Sequence, residues 1–210
     1  MKITILDRLL LLLTGLLAAW EVVVGINEAE ALPMIAYTVG FGVLLVAGLL
    51  LIILGFEVLD SPVVVIVSTI IPLSLSLGLV WEHLPDYRTL YLLFAILGFL
   101  AVVITRLLPL IKPQANPPKG RLPVVVLAVV HGIAGLTIFL LPIAWVLSGR
   151  AAPAFALVGL GGALIGLAGL LLAFLKTGKP LLSRQTILKV LPGLLLAMTA
   201  AFVIGLSSWR

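Results

Sequence analysis

The sequence predicts an all-α integral membrane protein, a bundle of seven transmembrane helices. Three observations carry that reading. Seven apolar runs of roughly 18 to 25 residues follow one another, and about 20 such residues suffice to cross a bilayer core. The breaks between them are short and polar. The chain is 63% hydrophobic and only 10% charged over its 210 residues.

The expected spans are residues 9–26, 33–56, 61–81, 89–111, 123–147, 153–175 and 187–206. Runs of this length lack the alternation of barrel strands, so helix is the only assignment that satisfies every backbone group inside lipid. The first span carries Lys2 and Arg8 ahead of it and Glu21 inside it. Ala29-Glu30-Ala31 has the small-x-small form of a leader cleavage site, but the apolar run exceeds the usual 7 to 15 residues of a leader. An uncleaved first helix is expected. Proline opens the second, third, fifth and sixth spans (Pro33, Pro62, Pro123, Pro153), where a missing N–H costs least. The fourth span stands between two sets of three.

Shifting the chain by about 120 residues aligns Gly15-Leu16 with Gly135-Leu136, Pro33 with Pro153, and Pro72 with Pro192. Halves 9–81 and 123–206, joined by a linker helix at 89–111, would form a parallel three-plus-one-plus-three repeat. That layout is similar in outline to the SWEET-type sugar transporters. Their helices carry Pro-Gln pairs, whereas the only such pair here, Pro113-Gln114, falls in a loop. No residue or substrate is therefore carried over.

The breaks leave no room for a soluble domain, so residues 1–210 form one transmembrane domain. Thirteen Lys and Arg against eight Asp and Glu give a net charge of +5. The cations sit at helix ends rather than in an aromatic-laced stripe, which argues against nucleic acid and for membrane topology. With the N-terminus cytoplasmic, that side holds Lys2, Arg8, Arg106, Lys112, Lys119, Arg121, Lys176, Lys179, Arg184 and Lys189, leaving Arg88, Arg150 and Arg210 outside. Trp20, Trp81, Trp145, Trp209, Tyr37, Tyr87 and Tyr91 mark the outer ends. The C-terminus is then outside, and the basic face should attract anionic lipid.

Cysteine is absent, which excludes disulfides, thiolate metal sites and a cysteine nucleophile. No motif for nucleophilic, zinc-dependent or phosphate-binding chemistry is present, so no catalytic or metal-ligating residue is assigned. In the sixth span Gly159, Gly162, Gly166, Gly169 and Ala173 form a side-chain-free stripe, with Gly162 and Gly166 satisfying GxxxG. Such stripes allow close helix contact, within the bundle or with another subunit or copy.

His131 lies about 12 Å below the cytoplasmic end of its span at 1.5 Å per residue. Ala128 and Gly135 share its face, so it is expected to point into the bundle, as a bonded neutral ring or a proton relay. His83, the other histidine, falls at the opposite side, which excludes a bis-histidine haem; no cofactor is expected. Ser68, Thr69, Pro72 and Ser76 make a polar stripe in the third span, with Pro192 and Thr199 as counterparts in the seventh. Interrupted helices of this kind free backbone carbonyls for solutes. Glu21, Glu57 and Arg106 are read as interfacial, and 81–88 as a solvated loop.

These features point to a non-enzymatic, multi-pass protein of the cell membrane, an accessory or scaffold subunit of a larger complex. The alternative is a small permease for an uncharged or weakly polar solute, with Ser68, Pro72, Ser76, Pro192, Thr199 and His131 along its path. A third reading is a proton- or redox-linked component using His131.

Overall fold

The computed structural model describes residues 3–25, 30–111, 122–176 and 182–208, and their side chains except at 60, 109–111 and 173–176. Seven α-helices make up almost all of it: α1 (Ile5–Val24), α2 (Ala31–Leu54), α3 (Pro62–His83), α4 (Arg88–Ile111), α5 (Leu122–Leu147), α6 (Ala156–Lys176) and α7 (Arg184–Ser207). Short 3₁₀ turns at Phe56–Asp60, Pro85–Tyr87 and Pro153–Phe155 precede α3, α4 and α6. Among the described residues there is no strand. Six helices have the length and composition to cross a membrane. The exception is α1, whose 20 residues include Asp7, Arg8 and Glu21.

Local chemistry sets the ends of these helices. A capping box starts α1: Thr4 Oγ1 accepts from the Asp7 amide at 3.2 Å, while the Asp7 carboxylate accepts from the Thr4 amide at 2.9 Å. Two helices stop at glycines in left-handed backbone, Gly25 (φ 65°) after α1 and Gly55 (φ 80°) after α2, where a side chain would be strained. Ser183 caps α7 by accepting from the Thr186 amide at 3.1 Å.

Helices successive in the chain run antiparallel. Gly40 of α2 lies against Leu75 of α3, Gly98 of α4 against Val130 of α5, and Gly205 of α7 against Val158 of α6. Helices α1, α2, α3, α5, α6 and α7 close a ring in that order, α7 returning to α1. α4 stands outside it and touches α3 and α5.

The core is continuous at one end of this ring and divided at the other. At the end holding the α3–α4 turn, a single apolar cluster joins α1, α2, α3, α5, α6 and α7 through side chains such as Phe41, Leu79, Ile138, Phe155 and Phe202. Toward the opposite end the buried residues separate into two groups. Leu11, Leu51, Phe56, Ala168, Leu188 and Leu191 unite α1, α2, α6 and α7. Ile66, Leu73, Ala95, Val102, Val130 and Ala134 unite α3 and α5 with α4 outside the ring. This group begins at the level of Ile71 and Leu75 of the first cluster and continues toward the opposite end. The seams between these groups run between α2 and α3 and between α5 and α6.

Candidate functional site

The divided end is where the chemistry expected from the sequence falls. Ser68 and His131, from α3 and α5, are half-buried there. Pro72 and Pro192 are buried inside α3 and α7, just beyond the level where the core divides. His131 keeps Nδ1 shielded from solvent, with the Leu127 backbone one turn earlier as its neighbour. Its expected inward face is only partly covered, since Ala128 is exposed and Gly135 half-buried.

The hydroxyls along the two proline-bearing helices are satisfied locally. Ser68 and Thr69 donate to the Val65 carbonyl at 3.0 and 2.8 Å. Ser76 donates to the Pro72 carbonyl at 2.6 Å and Thr199 to the Leu195 carbonyl at 2.7 Å. Bonding of this kind stabilises a hydroxyl in lipid and bends the helix that hosts it. The structure therefore brings Ser68 and His131 to the same half of the ring, and Ser68, Ser76 and Thr199 each bond back to their own helix.

The glycine stripe of α6 divides along its length. A Cβ built on Gly159 would lie 2.7 Å from the Phe139 carbonyl oxygen, and one on Gly162 would lie 2.9 Å from Ile138 Cγ2. These two glycines let α5 and α6 touch. One turn further on, Gly166 and Gly169 meet nothing within 4 Å, and neither do Gly132 and Gly135 on α5. The α5–α6 seam is thus closed at the end with the continuous core and lined by glycine where the core divides. Ala173 lies outside the described side chains.

Sequence reasoning overlooked Tyr91 as a link. Its hydroxyl donates to Thr137 at 3.2 Å, tying α4 to α5, and the Ser76 hydroxyl is within its reach. A tyrosine near a helix end reads as a headgroup anchor, and only the third dimension shows its partners.

The opposite end corrects several expectations. Residues 81–88 form an ordered cap rather than a solvated loop. The Trp81 indole donates to Glu30 at 2.7 Å, and Arg88 pairs with the other Glu30 oxygen at 2.8 Å. The Arg88 guanidinium also donates to the Trp81 carbonyl at 2.6 Å and lies 5.3 Å from the centre of the Trp81 ring. The Trp81 hydrogen bond, then that from Arg88, holds the Glu30 carboxyl below its ordinary pKa. Tyr37, expected at headgroup level, is instead 2% exposed and donates to Glu82 at 3.1 Å. Gly78 makes this possible, because a Cβ there would fall 2.5 Å from the Tyr37 ring.

His83 does not lie beyond α3 but is its last residue, buried with its ring 5.2 Å from Phe155 and 5.8 Å from Trp145. Glu21, expected to reach headgroups, is also buried, at 2% exposure. Both sit at helix ends that the ring closes over, and no composition rule reports that closure. Among the described residues no group of three or more His, Cys, Asp or Glu could hold a metal ion. Lys2, Lys112, Pro113, Gln114, Lys119, Arg121, Lys179, Trp209 and Arg210 lie outside the described residues.

Comparison with protein-family models, curated proteins and solved structures finds no match for this chain.

Proposed function

We propose that this chain is a small permease that admits an uncharged or weakly polar solute through the divided end of its ring. The observation that carries the reading is the core itself. It is continuous across six helices at one end, whereas toward the other α1, α2, α6 and α7 share one group and α3 and α5 pack instead with α4. A bundle built only for stability gains by joining its apolar side chains throughout, since burial in contact is what holds lipid-embedded helices together. A core parted at one end, with half-buried polar groups at the parting, is the form of a pathway open to one side of the membrane.

Two further features support it. Exchanging α1–α3 with α5–α7 leaves the ring's list of neighbours unchanged, as a parallel repeat would require. The interruptions Pro72 and Pro192 are then equivalents, and paired interruptions near the middle of a bundle accompany central solute sites.

In this reading α1 also crosses. Leu11, Thr14 and Ala18 are fully buried, and Asp7 and Glu21 stand 14 residues apart. At 1.5 Å per residue that is roughly 21 Å, which places the two acids toward opposite ends of the helix. The lysine- and arginine-rich connections put the divided end on the cytoplasmic side. A second reading, the accessory subunit, is favoured by the exposure of Gly166 and Gly169 and by α4 standing outside the ring.

The native chain has no cysteine, so single replacements report directly. Ser68→Cys, Gly135→Cys and Gly166→Cys should react with a membrane-impermeant maleimide from the side of residues 112–121, whereas Phe41→Cys and Phe202→Cys should not. Proteoliposomes loaded against a panel of polyols, monosaccharides and short amides should show uptake that falls in Pro72→Ala and Pro192→Ala. Silent labelling at Ser68→Cys would overturn the pathway. Stoichiometric co-purification with another membrane protein, without uptake of any solute, would establish the second reading in its place.

A further inference from the structure

The two groups that part at the divided end are joined across the α2–α3 seam at the capped end by polar contacts. Leu11 and Leu51 place α1 and α2 in one group, while Ile66 and Ala95 place α3 and α4 in the other. Glu30 and Tyr37 belong with α2; Trp81 and Glu82 belong with α3, and Arg88 with α4. The Tyr37–Glu82 bond and both bonds of the Glu30 carboxylate therefore cross from one group to the other.

Glu30 serves this crossing and nothing local. It is the residue on which α2 begins, where an acidic side chain would ordinarily accept from the first amides of its own helix. It makes no such bond. One oxygen instead accepts from the Trp81 indole at 2.7 Å and the other from Arg88 Nη2 at 2.8 Å. Arg88 is equally misplaced by local rules, since a cation on the first residue of α4 meets the positive end of the helix dipole. Its seat comes from α3. Nε donates to the Trp81 carbonyl at 2.6 Å, and the guanidinium lies 5.3 Å from the centre of the Trp81 ring. Trp81 and Arg88 thus form a receptacle within one group, and Glu30 enters it from the other.

The second seam is closed differently. At this end of α5 and α6, Gly159 and Gly162 sit on the backbone and side chains of Phe139 and Ile138. Contacts of that kind have no replacement in water. The Glu30 and Arg88 side chains are 56% and 30% exposed, and such a pair exchanges its partners for water at little net cost. The α2–α3 seam is the one able to open, with α5–α6 as its pivot.

We infer that Glu30 is the bolt of a gate at the capped end: seated between Trp81 and Arg88 it keeps the α2–α3 seam shut, and withdrawn it lets that seam part. The inference rests on the permease reading, for which it supplies the second opening that passage across a membrane requires.

A membrane-impermeant maleimide, applied to the full chain in proteoliposomes from the side of residues 84–87, reads the gate without any solute. Leu79→Cys, at a position 1% exposed in the continuous cluster of this end, should label slowly. Adding Glu30→Ala should raise that rate by about three- to tenfold, the weight of an exposed ion pair and one further hydrogen bond. Arg88→Gln should raise it less, because the indole still donates. An equal rise at Leu11→Cys, reached from the opposite face, would show general loosening and overturn the gate. An unchanged rate at Leu79→Cys in Glu30→Ala would also overturn it, and would leave the pathway standing where Ser68→Cys still labels. Silent Ser68→Cys would remove pathway and gate together. Should Glu30→Ala not fold, Arg88→Gln and Trp81→Phe each withdraw one donor, and no rise in either would be the overturning result.

Discussion

Gly78 illustrates how much one missing side chain can hold in place. The Tyr37 ring crosses α3 over this glycine to reach Glu82, and it is too deeply buried to swing aside. Gly78→Ala should therefore force α2 and α3 apart, at a cost of about 1–3 kcal/mol for overpacking. Gly42, in α2, has nothing within 4 Å of its Cβ position. There the same substitution should be neutral or stabilise by up to about 1 kcal/mol through helix propensity. Parallel unfolding curves for the two variants check the contrast, and equal destabilisation would show that the Tyr37 seat carries no weight. Little at this scale was legible in the sequence. Gly78 stands alone, without a periodic partner, so nothing distinguished it from the other glycines of an apolar run. Tyr37, Glu21 and His83 looked interfacial because each lies near a helix end. Whether such an end faces headgroups or a neighbouring helix is decided by tertiary contact.

At the scale of the element, helix identity was readable, because hydropathy over some 20 residues overwhelms every local preference. Observed ends fall within a few residues of the expected ones, and the differences have causes. α1 begins earlier because Thr4 and Asp7 build a capping box ahead of the apolar run. α3 extends to His83 because Trp145 and Phe155 cover that residue. The glycine stripe of α6 was visible as a period but not as two functional halves. Its partner α5 is bulky opposite Gly159 and Gly162, with Ile138, Phe139 and Ile143, and bare opposite Gly166 and Gly169. Gly159→Ala should accordingly lower the unfolding temperature, since its Cβ would press on the backbone of α5. Gly169→Ala should leave that temperature unchanged or raised. A reversal of this order would mean that α5 and α6 meet along their other ends.

At the scale of the whole molecule, the all-helical class could be read from the sequence and the closure of the ring could not. Sequence order gives the neighbours α1–α2, α2–α3 and α6–α7 almost for free, because short connections pair successive helices. The contacts of α3 with α5 and of α7 with α1 have no local signal and arise from packing. The division of the core was equally hidden, since leucines at 11, 73 and 79 look alike in a sequence and join different clusters in space. Topology remains directly testable. Reporters inserted at residues 26–29, 84–87 and 148–152 should lie on one side of the membrane, and those at 112–121 and the N-terminus on the other. An N-terminal reporter on the same side as 26–29 would mean that α1 does not cross.

The peripheral helix α4 has a consequence for how such a ring could work. In the proposed permease it reverses the chain once more between the triplets, so that α1 and α5 would enter the bilayer in the same direction. Transporters with inverted halves can interconvert two states by letting each half adopt the other's shape, so that one conformation is nearly a mirrored copy of its successor. Two co-directional triplets lack that exchange. Any rearrangement that parts the capped end must break Glu30–Arg88, Glu30–Trp81 and Tyr37–Glu82 without forming their duplicates at the far end. Influx and efflux would then follow inequivalent energy profiles, and the protein would rectify flow by its architecture.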